Sequence, residues 1–301
     1  MRILLQFPEG LKSKALEYAD KYKEEGHEVY LSCSPCFGAC DLAVEEAKLI
    51  HADKIIHFGH SRFPSVLSPV NVEYIHYPIN IDLKSLENIL IDLKPYNSIG
   101  IATTIQHVHE LEKIKEFFEI KGKSVLIGQG SLASEKGQVL GCDSGAVTSI
   151  SSQVDAILFV GDGFFHALAI KIDKPVFVFN PYSSSLEQIN DKIEKLKRKR
   201  KGLLAAAMVS KTFGILVSTK PGQFNLSAAK SIKKKLEEKG KRAEILIGNT
   251  FDQYSLGNFQ SFDCYITTAC PRMSDDSEQF DKPILDLELC NELFFLTIPI
   301  K

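Results

Sequence analysis

An internal repeat is the feature that most restricts how this chain can fold. The same order of segments, an apolar strand, a turn, a charged amphipathic helix and a second strand, occurs three times at intervals of about 100 residues. The first copy reads RILLQF, PEG, KSKALEYADKYKEEG and HEVYLSC; the second reads SIGIATT, IQHVHELEKIKEFFEIKG and KSVLIGQG; the third reads FGILVST, KPGQ, NLSAAKSIKKKLEEKG and KRAEILIGN. Gly26, Gly122 and Gly240 end the three helices, where a left-handed residue costs glycine little. Three related units are therefore predicted.

The remainder of each unit predicts two further strands. A helix and a third strand follow in HADKIIHFGHS, SQVDAILFVGDG and SFDCYITTAC, and a short fourth strand follows in VEYIHY, KPVFVFN and KPILDLE. Strands rich in Val, Ile and Leu that alternate with helices form parallel sheets covered on both faces. We therefore expect an α/β fold of three homologous α/β/α units, residues 1–95, 96–201 and 202–301, each with a parallel four-stranded sheet.

Composition excludes several classes of protein. The formal net charge of −2 gives no basic footprint for nucleic acid, and no apolar stretch approaches the roughly 20 residues of a membrane span. The N-terminus lacks the pattern of a secretory signal, which favours the cytoplasm. In that compartment the seven cysteines are better interpreted as buried residues, metal ligands or redox groups than as disulfides.

Ligands of parallel α/β sheets bind beyond the carboxyl ends of the strands, and each unit places a cysteine in such a loop. Cys40, Cys142 and Cys270 are these three residues. Three units around a pseudo-threefold axis would direct one thiolate each to a shared 4Fe-4S cluster and leave one iron open to a substrate. This interpretation accounts for more of the sequence than its rivals.

The rival interpretations concern the other cysteines. Cys33, Cys36 and Cys40 form a local CxxCxxxC loop, and a cluster held by this loop alone is the alternative. Cys33 closes a strand, however, and is interpreted as a small buried hydrophobe. A structural zinc site would need four ligands in close pairs, and CxxC occurs once. Cys264 and Cys290 lie in apolar segments and are expected in the core; the role of Cys36 stays open.

A basic run joins the second and third units. It reads KLKRKRKG, from Lys195 to Gly202. We interpret it as a solvated helix face, with contact to a macromolecule as the alternative.

Seven motifs in order carry a resemblance to a known family. They are QFPEGL, CFGACDLA, ATTIQH, QGSLASEKGQVLGCD, VGDGFFH, VSTKPGQ and TTACPR, and they run from about Arg2 through all three units. Together they resemble archaeal diphthamide synthase, the 2-(3-amino-3-carboxypropyl)histidine synthase family. The resemblance implies that Cys40, Cys142 and Cys270 bind a 4Fe-4S cluster.

The resemblance also implies an activity. S-adenosylmethionine would bind the open iron and, after one-electron reduction, lose its bond between Cγ and sulfur. The 3-amino-3-carboxypropyl radical would then add to C2 of a histidine imidazole in archaeal translation elongation factor 2, the first step of diphthamide biosynthesis. A homodimer and an external reductant are implied as well. No carboxylate pair or Ser/His/Asp arrangement stands out, so no catalytic side chain is predicted.

Residues at the functional edge are the expected contacts to S-adenosylmethionine. The turns FPEG and KPGQ would offer backbone N–H groups at helix N-termini, and polar residues follow two strands of the second unit. Gln223 could instead cap its helix, and His107 and His166 could be interior histidines. The expected contacts are Pro8, Glu9, Gly10, Thr104, Gln106, His107, Asp162, Gly163, His166, Gly222 and Gln223.

Three other functions are weighed against this one. A quinolinate synthase-like enzyme would use the open iron as a Lewis acid. A non-catalytic electron-transfer subunit would keep the cluster but need a catalytic partner. An iron or redox sensor would require a DNA-binding element, and none is recognisable in the sequence.

Overall fold

The computed structural model describes residues 1–64, 66–294 and 298. It contains three sheets, and each is formed by strands from one of the three repeated segments. In every sheet the first four strands follow the spatial order second, first, third, fourth, with parallel neighbours. This order places helical crossovers on both faces, as the sequence predicted. The α/β class and the parallel sheets are therefore confirmed.

The first sheet has four parallel strands with apolar cores on both faces. Ile3, Leu5 and Phe58 pack on one face, whereas Leu4 and Ile55 pack on the other, because successive residues of a strand point to opposite sides. The elements in order are β1 (Arg2–Gln6), a 3-10 helix (Glu9–Lys14), α1 (Ala15–Glu24), β2 (Glu28–Leu31), α2 (Val44–Leu49), β3 (Lys54–Phe58) and β4 (Asn71–Ile75).

The second sheet has five strands, so the prediction of four is wrong for this unit. The polar stretch Ser185–Gln188 pairs antiparallel with the preceding strand at the sheet edge. It lacks the run of Val, Ile and Leu by which the other strands were recognised. The elements are 3-10 helix Leu83–Ile89, β5 (Ser98–Thr103), 3-10 helix Val108–Glu110, α3 (Leu111–Ile120), β6 (Ser124–Leu126), α4 (Gly145–Thr148), 3-10 helix Ser151–Gln153, β7 (Ala156–Val160), 3-10 helix Ala167–Ala169, β8 (Val176–Asn180) and β9 (Ser185–Gln188).

The third sheet again has four parallel strands, of which the last is short. Phe213, Ile215 and Ile266 form its core with residues of the surrounding helices. The elements are α5 (Asn190–Val209), β10 (Thr212–Ser218), α6 (Leu226–Glu238), β11 (Arg242–Gly248), α7 (Gln253–Leu256), β12 (Cys264–Thr267), α8 (Arg272–Asp275), 3-10 helix Ser277–Gln279, β13 (Ile284–Leu285) and α9 (Leu287–Phe294).

The chain divides into two compact units, Met1–Ile193 and Glu194–Lys301, with the boundary inside α5. The first holds two sheets and the second holds one. The division into three domains at residues 95 and 201 stays a prediction. None of the described helices is both long and apolar enough to span a bilayer.

The three helix-ending glycines adopt the conformation expected from the sequence. Gly26, Gly122 and Gly240 have φ values of +85°, +83° and +72°. A side chain is rarely accommodated there, so each glycine terminates its helix, and the next strand begins two residues later.

Candidate functional site at the carboxyl ends of the strands

Gln6, the last residue of β1, fixes the loop that carries Cys40. Its side chain donates from Nε2 to the backbone oxygen of Asp41 over 2.7 Å and accepts at Oε1 from the backbone N–H of Ala43 over 3.1 Å. Gln6 is 2% exposed, so these bonds are shielded from water. Cys40 is half-buried. Its backbone is thus held directly beyond the end of β1.

The two neighbouring cysteines, Cys33 and Cys36, differ in burial. Cys33 is exposed, so its interpretation as a buried hydrophobe is wrong. The chain leaves β2 at Leu31, two residues earlier, and Cys33 lies in the loop. Cys36 is the buried one, and burial, followed by the negative charge of Asp41, raises the pKa of its thiol to about 12.

The turn that carries Cys142 is held by the buried carboxylate of Asp143. Oδ2 of Asp143 accepts from the N–H groups of Leu132 and Ala133 over 2.6 and 3.2 Å, and Oδ1 accepts from that of Gly145 over 2.7 Å. Three charge-assisted bonds fix the loop on both sides of the turn. Cys142 itself is exposed on this braced turn.

Polar contacts join the strand ends of the first sheet to those of the second. Gln106 donates from Nε2 to the backbone oxygen of Gly59 over 2.9 Å. The Ser61 hydroxyl and the Gln138 amide exchange two bonds of 3.1 and 2.9 Å, and both residues are buried. The loops after β3 and β5, and the segment leading to Cys142, therefore lie together.

Cys270 lies in the corresponding loop of the third sheet, between β12 and α8. It is half-buried, and its backbone oxygen accepts from the N–H of Met273 over 3.2 Å. The preceding residues are fixed because Thr268 donates from its hydroxyl to the oxygen of Leu216 over 2.9 Å. Cys270 thus follows a strand end, as predicted.

The two remaining cysteines are core residues, as expected. Cys264 and Cys290 are both fully buried. Burial raises the pKa of the Cys264 thiol and raises that of Cys290 to about 12. Both thiols are held in the neutral form and serve as packing.

Arg200 anchors the segment that follows Cys270, and its environment corrects the interpretation of the basic run. It is 8% exposed and pairs with Asp275, Asp286 and Glu288 over 3.0, 2.8 and 2.9 Å. Burial alone would lower the pKa of the guanidinium, but the three carboxylates, Asp286 foremost, raise it. At this position the helix face is buried rather than solvated.

The fold largely accounts for the burial and hydrogen bonding of His107. Its ring is 2% exposed, and Nδ1 donates to the backbone oxygen of Ile79 over 2.9 Å. Burial lowers its pKa, although the carbonyl bond opposes the shift. Nε2 of the neutral ring is left as an acceptor. Thr104, three residues earlier, is half-buried and accepts at its backbone oxygen from the His107 N–H over 3.0 Å.

The FPEG turn opens a 3-10 helix, whereas α1 begins only at Ala15. Pro8 is the residue before that helix, and Glu9 is exposed and pairs with Lys12 over 2.6 Å. A Cβ at Gly10 would meet nothing within 4 Å. Open space therefore adjoins this backbone.

The KPGQ turn differs from the expectation, because Asn225 rather than Gln223 caps α6. The Asn225 side chain accepts from the N–H of Ala228 over 3.2 Å. Gln223 is half-buried two residues before this cap, next to the half-buried Gly222. Capping by Gln223 is thus wrong.

The loop after β7 carries three of the expected contacts. Asp162 is exposed and accepts from the Asn180 amide over 2.8 Å, and Gly163 has a φ of +66°. His166 is half-buried, with its ring edge-on to that of Phe165.

Sequence reasoning assigned no role to His57 and His60, which form a pair at the end of β3; His57 is buried and His60 is half-buried. Nδ1 of His57 bonds to Oε1 of Gln6 and its Nε2 to Nδ1 of His60, each over 2.9 Å. Burial lowers the pKa of His57 to about 3 and that of His60 to about 4. The sequence pattern that could have revealed this pair is HFGH, which has two histidines three residues apart at a predicted strand end.

A family model for diphthamide synthesis proteins matches residues 7–289, which cover nearly the whole chain and all three candidate ligands. The chain belongs to this diphthamide synthesis family.

Relatives in the diphthamide synthesis family are similar over most of their length. The chain is 38% identical to the 2-(3-amino-3-carboxypropyl)histidine synthase of Pyrococcus horikoshii, over 94% of this chain and 83% of that protein. It is 32% identical to the synthase of Methanocaldococcus jannaschii, over 94% and 81% respectively.

A solved structure of the same family has the same fold. The crystal structure of Dph2 from Pyrococcus horikoshii with a 4Fe-4S cluster superposes with a TM-score of 0.89 at 36% identity. The match covers 98% of this chain and 86% of that one. The fold of this diphthamide synthesis protein is thus that of a cluster-bearing relative.

Proposed function

We propose that this chain is a 2-(3-amino-3-carboxypropyl)histidine synthase. It transfers the 3-amino-3-carboxypropyl group of S-adenosylmethionine to C2 of a histidine imidazole in translation elongation factor 2, which begins diphthamide biosynthesis. The observation that carries the proposal is the 38% identity to such a synthase along 94% of the chain.

The three proposed ligands fit a 4Fe-4S cluster by their chemistry and placement. Cys40, Cys142 and Cys270 all lie in loops beyond strand ends and are at least partly exposed. Thiolates are the usual protein ligands of such clusters. By contrast, Cys264 and Cys290 are sealed in the core. We further propose that the three sheets surround a pseudo-threefold axis, so that the three loops converge.

Each proposed ligand lies beside a buried polar group that fixes its loop. Gln6 holds the segment after Cys40, Asp143 holds the turn of Cys142, and Arg200 holds the segment after Cys270. Fixed loops keep the thiolates in position without a cost in ordering when the cluster binds. When bound, the cluster supplies the electron that cleaves the Cγ–sulfur bond of S-adenosylmethionine.

The chain's own task is then to bind and orient S-adenosylmethionine, since the orientation of the bound molecule would decide which of its carbon–sulfur bonds is cleaved. Backbone beside Gly10 has room for the methionyl carboxylate. Gln106 and His107 bond to Gly59 and Ile79, so we assign them the positioning of Thr104 and its loop in addition to contact with S-adenosylmethionine. The full set of proposed contacts remains Pro8, Glu9, Gly10, Thr104, Gln106, His107, Asp162, Gly163, His166, Gly222 and Gln223.

The proposed partners are translation elongation factor 2, a second copy of the chain in a homodimer and an electron donor, and the proposed location is the cytoplasm. The enzyme is tested by mixing the anaerobically reduced, cluster-loaded chain with S-adenosylmethionine and the elongation factor. We expect methylthioadenosine and a modified histidine in equal amounts. A cluster-loaded chain that forms no methylthioadenosine would contradict the proposal.

A further inference from the structure

A second group of metal-binding side chains includes none of the three proposed cluster ligands, although it shares a loop with Cys40. It comprises Cys36, His57 and His60, and their ligand atoms all lie within 4.8 Å of one another. Cys36 comes from the loop after β2, whereas His57 is in β3 and His60 follows it. We propose that these three residues bind one divalent cation of the zinc class. The inference goes beyond the proposed function and does not depend on it.

The position of His57 follows from the register of the first sheet. His57 and Gln6 are direct neighbours on the parallel strands β3 and β1, so their side chains lie on the same face. Gly59 then turns the chain with a φ of +74°, and a Cβ there would come within 3.1 Å of Leu11 and Pro8. This turn brings the ring of His60 back over that of His57.

Hydrogen bonding fixes which nitrogen of His57 is available. Oε1 of Gln6 is a carbonyl oxygen and can only accept, so Nδ1 of His57 carries the proton in the 2.9 Å bond between them. Nε2 therefore presents its lone pair to the space shared with His60 and Cys36. Metal-binding histidines are typically oriented in this way, with the other ring nitrogen bonded to an acceptor.

The two histidine nitrogens suit a small cation after a shift of a few tenths of an ångström. Nε2 of His57 and Nδ1 of His60 are 2.9 Å apart, and two nitrogens on a tetrahedral zinc at about 2.05 Å are separated by about 3.4 Å. His60 would bind through Nδ1 by moving its proton to Nε2, and Cys36 would release one proton as its thiol becomes a thiolate. Three protein ligands leave a fourth position for water.

Charge and burial also favour a cation here. Zinc with one thiolate carries a net charge of +1, and the buried carboxylate of Asp41 lies close enough to act on Cys36. Cys36 is 4% exposed and His57 is fully buried, so competition from water is small. A bound cation would connect the loop after β2 to the end of β3. Its ligand in that loop, Cys36, is four residues before Cys40.

The test is metal content of the cluster-loaded chain after anaerobic exposure to zinc chloride and gel filtration. We expect about one zinc per chain with no loss of iron. Cys36→Ser and His60→Ala should weaken zinc binding by at least about 100-fold while iron stays constant. The matched control is Cys33→Ala, three residues away on the same loop and exposed, which should bind zinc like the unchanged chain.

X-ray absorption at the zinc edge reads the ligands directly and is blind to iron. The expected shell has one sulfur at about 2.3 Å and nitrogen or oxygen at about 2.0–2.1 Å. The inference would be overturned if the unchanged chain retained no zinc, or if both ligand variants bound zinc as tightly as the unchanged chain. A sulfur-rich shell with loss of iron would also overturn it. Zinc binding by a chain that takes up no iron would contradict the proposed function and leave this inference intact.

Discussion

At the scale of single residues, the candidate site depends on buried polar side chains beside the cysteines. Gln6 bonds to two backbone groups just after Cys40, and Asp143 accepts from three N–H groups around Cys142. Buried polar groups of this kind are costly unless every bond is made, so they define one loop geometry. The residues that set the site are therefore more numerous than its ligands.

His107 gives a prediction for stability against pH. Burial lowers its pKa in the folded chain, whereas unfolding restores the ordinary value of 6.5. Below about pH 6.5 the unfolded chain binds a proton that the folded chain does not, so the contribution to stability is complete above that pH and declines below it. We expect His107→Gln, which keeps a donor for Ile79 but does not titrate, to make this decline shallower.

Urea unfolding between about pH 7.5 and pH 5 measures the effect. Equal slopes for His107→Gln and the unchanged chain would contradict the role assigned to burial.

At the scale of elements, helix α5 contains both exposed and buried basic residues. Arg200 meets three carboxylates, whereas Arg198 on the same helix is exposed. Arg200→Met should lower the free energy of unfolding by about 3–5 kcal/mol, because it removes the cation that pairs with the buried carboxylate of Asp286. Arg198→Met should change it by less than about 0.5 kcal/mol. Chemical denaturation compares the two, and equal effects would refute the assignment.

Two glycines allow a second comparison. A Cβ at Gly100, inside β5, would lie 2.7 Å from Ile157 and 2.9 Å from Ile150, whereas one at Gly202 in α5 would meet nothing within 4 Å. Gly100→Ala should destabilise the chain by about 1–3 kcal/mol through overpacking. Gly202→Ala should stabilise it by about 0.5–1 kcal/mol, because alanine is the better helix former. Thermal unfolding that gives both the same sign would contradict this packing.

The sequence predicted those elements whose signal is local. Apolar runs located the parallel strands, and helix periodicity followed by Gly26, Gly122 or Gly240 located three helix ends. Strand β9 was missed because its polar residues carry no such pattern and pair only at a sheet edge. The pairing of Gln6 with His57 and the burial of Arg200 depend on register and packing between distant segments, which no local pattern reveals.

At the scale of the whole molecule, the proposed site depends on the repeated sheet. In each of the three sheets the first four strands have the same order, and a loop beyond the carboxyl end of one strand carries one proposed ligand. The proposed site takes one ligand from each of three loops, so loss of any one ligand should abolish it. The sequence could predict which cysteines end strands, but not that Cys36 is buried beside two histidines.

The most direct test of the account is the iron content of anaerobically reconstituted single variants. Cys40→Ala, Cys142→Ala and Cys270→Ala should each lose most of their iron and the cluster spectrum, and turnover with them. Cys33→Ala and Cys36→Ala should retain iron like the unchanged chain. A Cys142→Ala or Cys270→Ala variant with an intact cluster, or loss of the cluster in Cys33→Ala and Cys36→Ala, would contradict the three-loop site and favour a cluster held by the first loop alone.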